Sequence, residues 1–396
     1  MGSFAVTAAS AVGVITAMLL AACIAAGPDD PNSAAPQAVT LPQTAAGPKE
    51  DVPSALRNPR DAAFPPPLID PGEIRSGGPP PDGIPTIDRP TFLRASDVTW
   101  LRDAEAVLAL TIGGQTRGYP VQIMTWHEIV NDTVAGTPVA VTYCPLCNSG
   151  VAFDRTVGGR VLSFGTSGRL YADNLVMYDR QTESLWPQLT FTAAVGVLTG
   201  TRLTPHVLQT VAWRQFGTAH PRAWVLSRDT GFTRDYGRNP YAGYDDPQQP
   251  PLFPLPDADR RERLKERVIG IGDGTAAVAV VRSAVAAAGV VEVTVGGRDL
   301  IVWHRPGQAS ALDDDAVGSG RDIGTVGVFD PMLDGRRLHF TVTPGGFRDT
   351  ETGSTWDVLG RATAGPLAGT TLTAQRHLDT FWFAWAAFQP HTTIIR

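Results

Sequence analysis

The sequence predicts a mainly β fold with short helices, organised as two pseudo-duplicated β-rich halves. Its 396 residues include 41 Gly and 33 Pro, and such frequent turn residues favour many short strands over long helices. Segments of the first part of the chain recur in the same order near its C-terminus, and the length suggests more than one domain. With 43% hydrophobic and 18% charged residues, the composition is typical of a folded protein. The net charge of -6 argues against a nucleic-acid partner.

The first 22 residues are typical of a lipoprotein signal peptide. The apolar run 12–22 is too short to span a bilayer, and Leu20-Ala21-Ala22-Cys23 resembles a lipobox, in which cleavage precedes a cysteine that is then lipidated. No Lys or Arg precedes the run, unlike most signal peptides, and a plain secretory signal is the alternative. We expect an extracytoplasmic protein held on the membrane surface through lipidated Cys23, in a compartment where thiols can be oxidised.

Residues 23–67 are predicted to be a disordered tether, because their Pro, Ala, Asp, Ser and Gln cannot bury a core. The first β-rich half is predicted at 68–246 and opens with a Pro- and Gly-rich wrapping loop at 68–100. A hairpin is predicted at 106–121. Further strands are predicted at 139–143, 151–156, 160–164, 175–179, 193–198 and 222–226.

A short helix is predicted at 121–132, which contains no Gly or Pro. It carries His127, with Glu128 and Asp132 expected as surface carboxylates. The His-Glu pair resembles the start of a His-Glu-x-x-His zinc-protease motif, but Asn131 occupies the position of the second histidine, so that motif is incomplete.

Residues 247–267 are predicted to be a linker, with a charged helical piece at 259–267, and 268–396 to be a second, degenerate β-rich half. The octet 179–186 matches 349–356, with Asp, Thr, Ser and Trp at equal spacing, at an offset of about 170 residues. This period is too long for a solenoid. Chance similarity between Gly- and Thr-rich strands is the alternative to duplication. The alignment leaves the cysteines at 144 and 147 without a counterpart in the second half.

Three interpretations of Cys144-Pro145-Leu146-Cys147 stay open. A turn that places two sulfurs on one side suits a metal knuckle. The same spacing suits a reversible dithiol, although no helix start follows to lower a thiol pKa. A structural disulfide is the third, in an oxidising compartment.

A metal or redox site needs partners beyond the two sulfurs. His127 is the first candidate for a third ligand or a catalytic base, because its segment leads into the strand that ends at Cys144, and His220 is the second candidate. Thiolate and imidazole ligands favour copper or zinc over iron as the metal of such a site. Met177 could ligate copper but is better explained by core packing.

A family resemblance rests on several dense motifs. The chain resembles the bacterial and archaeal proteins grouped as domain of unknown function 3179, whose members are often secreted or lipid-anchored. The motifs lie at 78–85, 126–132, 143–154, 165–170, 174–188, 220–221 and 229–241. The resemblance implies that the cysteine turn and the His127 segment belong to the family pattern, and it implies no reaction.

The leading functional hypothesis is therefore an extracytoplasmic lipoprotein with a metal-binding or thiol-redox site at Cys144 and Cys147. The alternative is a non-catalytic surface lipoprotein that binds a protein or glycan partner, with the cysteines in a structural role.

Overall fold

Short strands dominate the computed structural model, which describes Gly2 and residues 36–396 with the exception of Pro256. The predicted signal peptide, Cys23 and the tether up to residue 35 lie outside the described residues. Residues 37–396 form one compact unit. No helix in the described part of the chain combines the length and apolarity needed to cross a membrane.

The strands of the first segment carry the cysteine turn between the seventh and the eighth. They are β1 (Val39–Thr40), β2 (Arg75–Ser76), β3 (Thr91–Arg94), β4 (Ala106–Ile112), β5 (Gln115–Pro120), β6 (Ile129–Val134), β7 (Thr137–Cys144), β8 (Ser149–Asp154), β9 (Thr156–Val157), β10 (Arg160–Val161), β11 (Phe164–Tyr171), β12 (Asn174–Asp179), β13 (Leu185–Pro187), β14 (Pro205–His206), β15 (Leu208–Ala212) and β16 (Trp224–Leu226).

The strands of the second segment begin after the linker. They are β17 (Arg267–Ile271), β18 (Val278–Val281), β19 (Val290–Val295), β20 (Arg298–Arg305), β21 (Thr325–Phe329), β22 (Met332–Leu333), β23 (Arg336–Arg337), β24 (Phe340–Thr343), β25 (Gly346–Asp349), β26 (Thr355–Trp356), β27 (Ala362–Ala364), β28 (His377–Phe381) and β29 (Thr393–Ile395).

Four seven-residue helices join strands within these segments. They are α1 (Val121–His127), α2 (Trp213–Ala219), α3 (Arg282–Ala288) and α4 (Trp382–Phe388). Single 3-10 turns lie at Pro71–Glu73, Ala95–Asp97, Gln188–Thr190, Gly274–Ala276 and Val317–Ser319. The predicted mainly β class with short helices is confirmed.

The two segments use the same strand order. In the first, a sheet runs β16-β5-β4-β15, extended by β3 and β1, and in the second a sheet runs β29-β18-β17-β28. Each sheet contains one parallel pair, formed by the last strand of its segment. β16 pairs with β5, and β29 pairs with β18. The meander β6-β7-β8 likewise corresponds to β19-β20-β21. The shared strand order is what a duplication would produce, and descent from one duplicated unit stays a prediction.

The recurring octet builds the same turn twice. Asp179 Oδ2 accepts a hydrogen bond from the Trp186 indole at 3.0 Å, and Asp349 Oδ2 accepts one from Trp356 at 2.9 Å. Both tryptophans are fully buried. In each octet the aspartate also accepts the backbone N–H three residues ahead. The repeated residue types are therefore those that hold a buried indole to a strand end.

The segments share their cores. One apolar cluster joins Trp213 and Phe216 to Trp303 and Trp356, and another joins the cysteines to Phe381 and Phe383. The fold is therefore one body whose two segments bury each other's side chains.

The helix predicted at 121–132 is wrong beyond His127. Glu128 adopts a left-handed φ of 57°, and Ile129–Val134 forms β6, paired with β7 along its whole length. β-branched residues at four of these six positions favour the strand. Glu128 and Asp132 are consequently buried, whereas the helix prediction placed them on the surface.

Three other predictions differ from the structure. Residues 193–198 contain one isolated bridge, from Val195 to Leu185, and form no strand, and 259–267 is irregular up to β17. The predicted tether is folded onto the body from residue 37 onward. β1 pairs with β3, and Ala55 is completely buried. Leu56 and Phe64 pack with Ala55 against the cluster that contains Val176 and Leu185, which the overall composition of the stretch does not reveal.

We expect Asp179→Ala and Asp349→Ala each to lower the free energy of unfolding by about 2–4 kcal/mol, because each strands a buried indole N–H. Urea denaturation followed by tryptophan fluorescence measures this loss. Asp51→Ala, at an exposed position, is the matched control. Losses no larger than that of the control would contradict the role of the two turns.

Candidate functional site at the cysteine turn

The cysteine turn is a tight hairpin connection. β7 ends at Cys144, β8 begins at Ser149, and these two residues pair directly. The Cys147 N–H donates to the Cys144 carbonyl at 3.2 Å. Asn148 has a φ of 52°, a left-handed conformation that asparagine tolerates. The turn is therefore fixed by its own backbone.

The two sulfurs are bonded to each other. Cys144 and Cys147 form a disulfide whose Cα atoms lie 5.4 Å apart. Cys147 is fully buried and Cys144 is 2% exposed, within an apolar cluster that includes Leu146 and Met177. Buried apolar surroundings are typical of unreactive cysteines, since reactive ones sit in partly exposed, electropositive sites.

The turn docks on β28 of the second segment. The Cys147 carbonyl accepts from the Phe381 N–H at 3.0 Å and from the Thr380 hydroxyl at 2.8 Å. The Asn148 side-chain amide donates to the Asp379 carbonyl at 3.4 Å, while its oxygen accepts from Tyr143. The disulfide-closed loop is thus a contact between the segments.

Asp173 lies on the other side of Cys147, whose Sγ is 3.7 Å from the Asp173 carbonyl oxygen. Ala172 and Asp173, with φ of 48° and 60°, form the turn between β11 and β12, as a two-residue hairpin with positive φ at both positions requires. The Asp173 carboxyl is buried. Its Oδ2 accepts from the Phe253 N–H at 3.4 Å, and its Oδ1 has no hydrogen-bond partner.

Burial raises the pKa of the Asp173 carboxyl to about 6, against the opposing effects of the Phe253 N–H and of Arg75. Asp173 also borders a cavity of ≈ 490 Å³. A cavity with apolar walls and a carboxyl of raised pKa is the kind of place where ligands bind. Sequence reasoning missed Asp173, since nothing in its pattern distinguishes it from an exposed turn aspartate.

His127 is fully buried and holds partners at both ring nitrogens. Nδ1 lies 2.6 Å from the Pro85 carbonyl oxygen, so Nδ1 carries the proton. Nε2 accepts from the Tyr236 hydroxyl at 2.6 Å, and the Tyr236 oxygen lies 2.6 Å from the Thr230 hydroxyl. Burial lowers the pKa of His127, which keeps the ring neutral.

Glu128 and Asp132 are buried acids that sequence reasoning placed on the surface. Desolvation raises the pKa of Glu128 to about 8. Asp132 instead forms a buried ion pair with Arg117 and accepts from the Tyr119 hydroxyl at 2.7 Å. The β-branched residues at four of the six positions from 129 to 134 are the available signal for a strand.

The other predicted site residues lie in separate surroundings. His220 packs its ring 5.5 Å from that of Phe216, and burial and the charge of Arg361 lower its pKa. Met177 is buried in the same apolar cluster as the disulfide. Within the described residues, no group of three or more His, Cys, Asp or Glu side chains is arranged to hold a metal ion. The structure therefore brings Cys144 and Cys147 together, while His127 and His220 contact other partners.

The fold and the site together describe a mainly β protein with two segments of the same strand order. A buried disulfide-closed turn of the first segment contacts the second. Residues 81–392 match the family described as Protein of unknown function (DUF3179), and the chain belongs to that family. The predicted resemblance is confirmed, and the match includes most of the second segment. No curated protein and no solved structure matches the chain.

We expect Glu128→Gln to remove a pH dependence of stability. The pKa of Glu128 is raised from 4.5 to about 8 by folding, so the folded state keeps a proton that the unfolded state releases between these values. The wild type therefore loses stability as the pH rises through this window. At pH 8 the variant should be more stable by roughly 1–3 kcal/mol.

Chemical denaturation at several pH values measures this difference, and the two proteins should converge as the pH falls below 4.5, where Glu128 becomes protonated in both states. An equal gap at all pH values would show that the substitution acts through packing and that Glu128 is not a protonated buried acid.

Proposed function

We propose that the protein is an extracytoplasmic, lipid-anchored binding protein in which Cys144–Cys147 is a structural disulfide. One observation carries the proposal. The bonded sulfurs are buried in an apolar cluster, and the loop that they close presents the Cys147 carbonyl to β28. A buried disulfide that shapes a contact between segments matches a structural role, and disulfides persist outside the cytoplasm.

The binding role is supported by the cavity beside this turn. At ≈ 490 Å³ it lies within the range of small-molecule sites, which combine apolar walls with a few placed polar groups. Asp173 supplies such a group. The lipid anchor at Cys23 rests on the lipobox pattern of the sequence and would hold the protein at a membrane surface.

A thiol-redox role of the same pair is the second candidate, because two bonded cysteines three residues apart are the arrangement that Cys-x-x-Cys oxidoreductases use. Reduction of the Cys144–Cys147 bond takes two electrons and two protons and yields two thiols. An external dithiol would supply the electrons and become a disulfide. The Cys147 sulfur lies against the backbone carbonyl of Asp173, and burial raises the pKa of the Asp173 carboxyl to about 6.

A copper or zinc site would require a larger rearrangement of the structure than a redox role of the cysteines. The disulfide would first have to be reduced, and His127 would have to release Pro85 or Tyr236 to offer a ring nitrogen. Thiolates suit these soft or borderline metals, and the metal content of the reduced protein distinguishes this candidate.

We expect the double variant Cys144→Ser, Cys147→Ser to fold and to lose about 2 kcal/mol of stability, the amount expected for a short disulfide-closed loop. In the folded wild type, a mild dithiol should leave the bond intact, and the same dithiol should reduce it to two thiols once urea has unfolded the chain. Thiol titration in native buffer and in urea measures this contrast.

Rapid reversible reduction of the folded protein would contradict the structural role and favour the redox candidate. Metal analysis of the reduced wild type beside the double variant decides the metal candidate. Equal metal content in both proteins would eliminate a cysteine-bound metal.

A further inference from the structure

The cavity beside the cysteine turn has walls from three parts of the chain. The β11–β12 hairpin contributes Leu170 and Tyr171, α4 contributes Phe383, and the linker contributes Phe253 and Leu255. Aromatic and aliphatic side chains thus surround most of it, and an occupant gains free energy by burying an apolar body there.

Asp173 is the buried polar group in this cavity. Its side chain borders the cavity, the residue is 4% exposed, and its Oδ1 has no hydrogen-bond partner. A buried acceptor without a partner costs free energy that a donor from a ligand would recover. If the donor is charged, the recovery is larger, because charge-assisted hydrogen bonds are about twice as strong as neutral ones.

The charges around the cavity favour a cationic donor. Glu73, Asp257 and Asp259 line it together with Asp173, and Arg75 is the one basic residue among the described lining residues. Asp259 is already engaged by Arg261 at 2.8 Å. An anionic ligand would face an excess of carboxylates, whereas a cation would complement them.

The walls also suit a cation carried on an apolar body. The rings of Tyr171, Phe253 and Phe383 line the same space, and aromatic faces attract ammonium groups. An N–H donor is needed to satisfy Oδ1, so the ligand class is a protonated primary, secondary or tertiary amine and not a quaternary ammonium.

We propose that this cavity binds a small amine with an apolar body, with Asp173 as its counter-ion. The inference rests on the binding function proposed above and adds to it the chemical class of the ligand. The disulfide does not contact this ligand. It holds the turn against which the Asp173 hairpin and β28 are both placed.

Calorimetric titration of the full-length chain in detergent tests the proposal, with 2-phenylethylamine as the probe. Its neutral counterpart 2-phenylethanol and the anion 3-phenylpropionate are the comparison ligands. The amine should bind about ten-fold or more tightly than either. Asp173→Asn should remove this preference, and Ala387→Phe, at an exposed position on the cavity lining, should weaken binding of the amine by obstructing the mouth.

Asp334→Asn is the matched control, because Asp334 also has a left-handed φ, of 51°, in a hairpin turn but is exposed. It should bind the amine as the wild type does. Equal affinity for amine and alcohol, or unchanged amine binding in both Asp173→Asn and Ala387→Phe, would overturn the proposal.

Absence of amine binding in the wild type would overturn it as well. Tighter binding of the alcohol or the carboxylate would overturn the ligand class while leaving the binding function in place. Failure of the structural disulfide role appears separately, in the thiol titration. The two proposals can therefore fail independently.

Discussion

The arrangement of this site depends on the hydrogen bonds that the Cys147 carbonyl accepts from the second segment. This carbonyl accepts two donors from β28, the Phe381 N–H and the Thr380 hydroxyl. The disulfide fixes the loop that presents this carbonyl, and β28 continues directly into α4. Since α4 forms one wall of the cavity beside Asp173, a four-residue loop in the first segment positions a wall built by the second. The chemistry of the sulfurs matters less in this arrangement than the backbone that they constrain.

Much of the β architecture could be predicted from sequence because its signals are local. The hairpin of β4 and β5 and the strands on either side of the cysteine turn follow from short apolar runs and turn residues. The helix predicted at 121–132 is too long, because the absence of Gly and Pro is compatible with a helix whereas the β-branched residues that begin at Ile129 favour a strand. The recurring octet is visible in the sequence as a pattern, but only the structure explains its residue types, through the indole hydrogen bonds to Asp179 and Asp349.

The candidate site was predictable only where its residues are neighbours in sequence. Cys144 and Cys147 are, and the structure joins them. The partner of His127 is the Pro85 carbonyl, 42 residues away, and a backbone carbonyl carries no sequence signal. Asp173 and Glu128 were missed because Asp and Glu are almost always exposed, whereas both here are buried and have left-handed φ. Such a conformation is costly for these residues and persists only where surrounding packing enforces it.

The contact between Cys147 and Thr380 spans 233 residues of chain, and this separation sets an order of events. A chain is synthesised from its N-terminus, so the cysteine turn is present long before β28 exists to cover it. Until then both thiols are open to an oxidant, and afterwards they are enclosed. The time between the appearance of the cysteine turn and that of the second segment is therefore the interval in which this bond is most easily made. A chain that closed around reduced cysteines would have to open again to correct them.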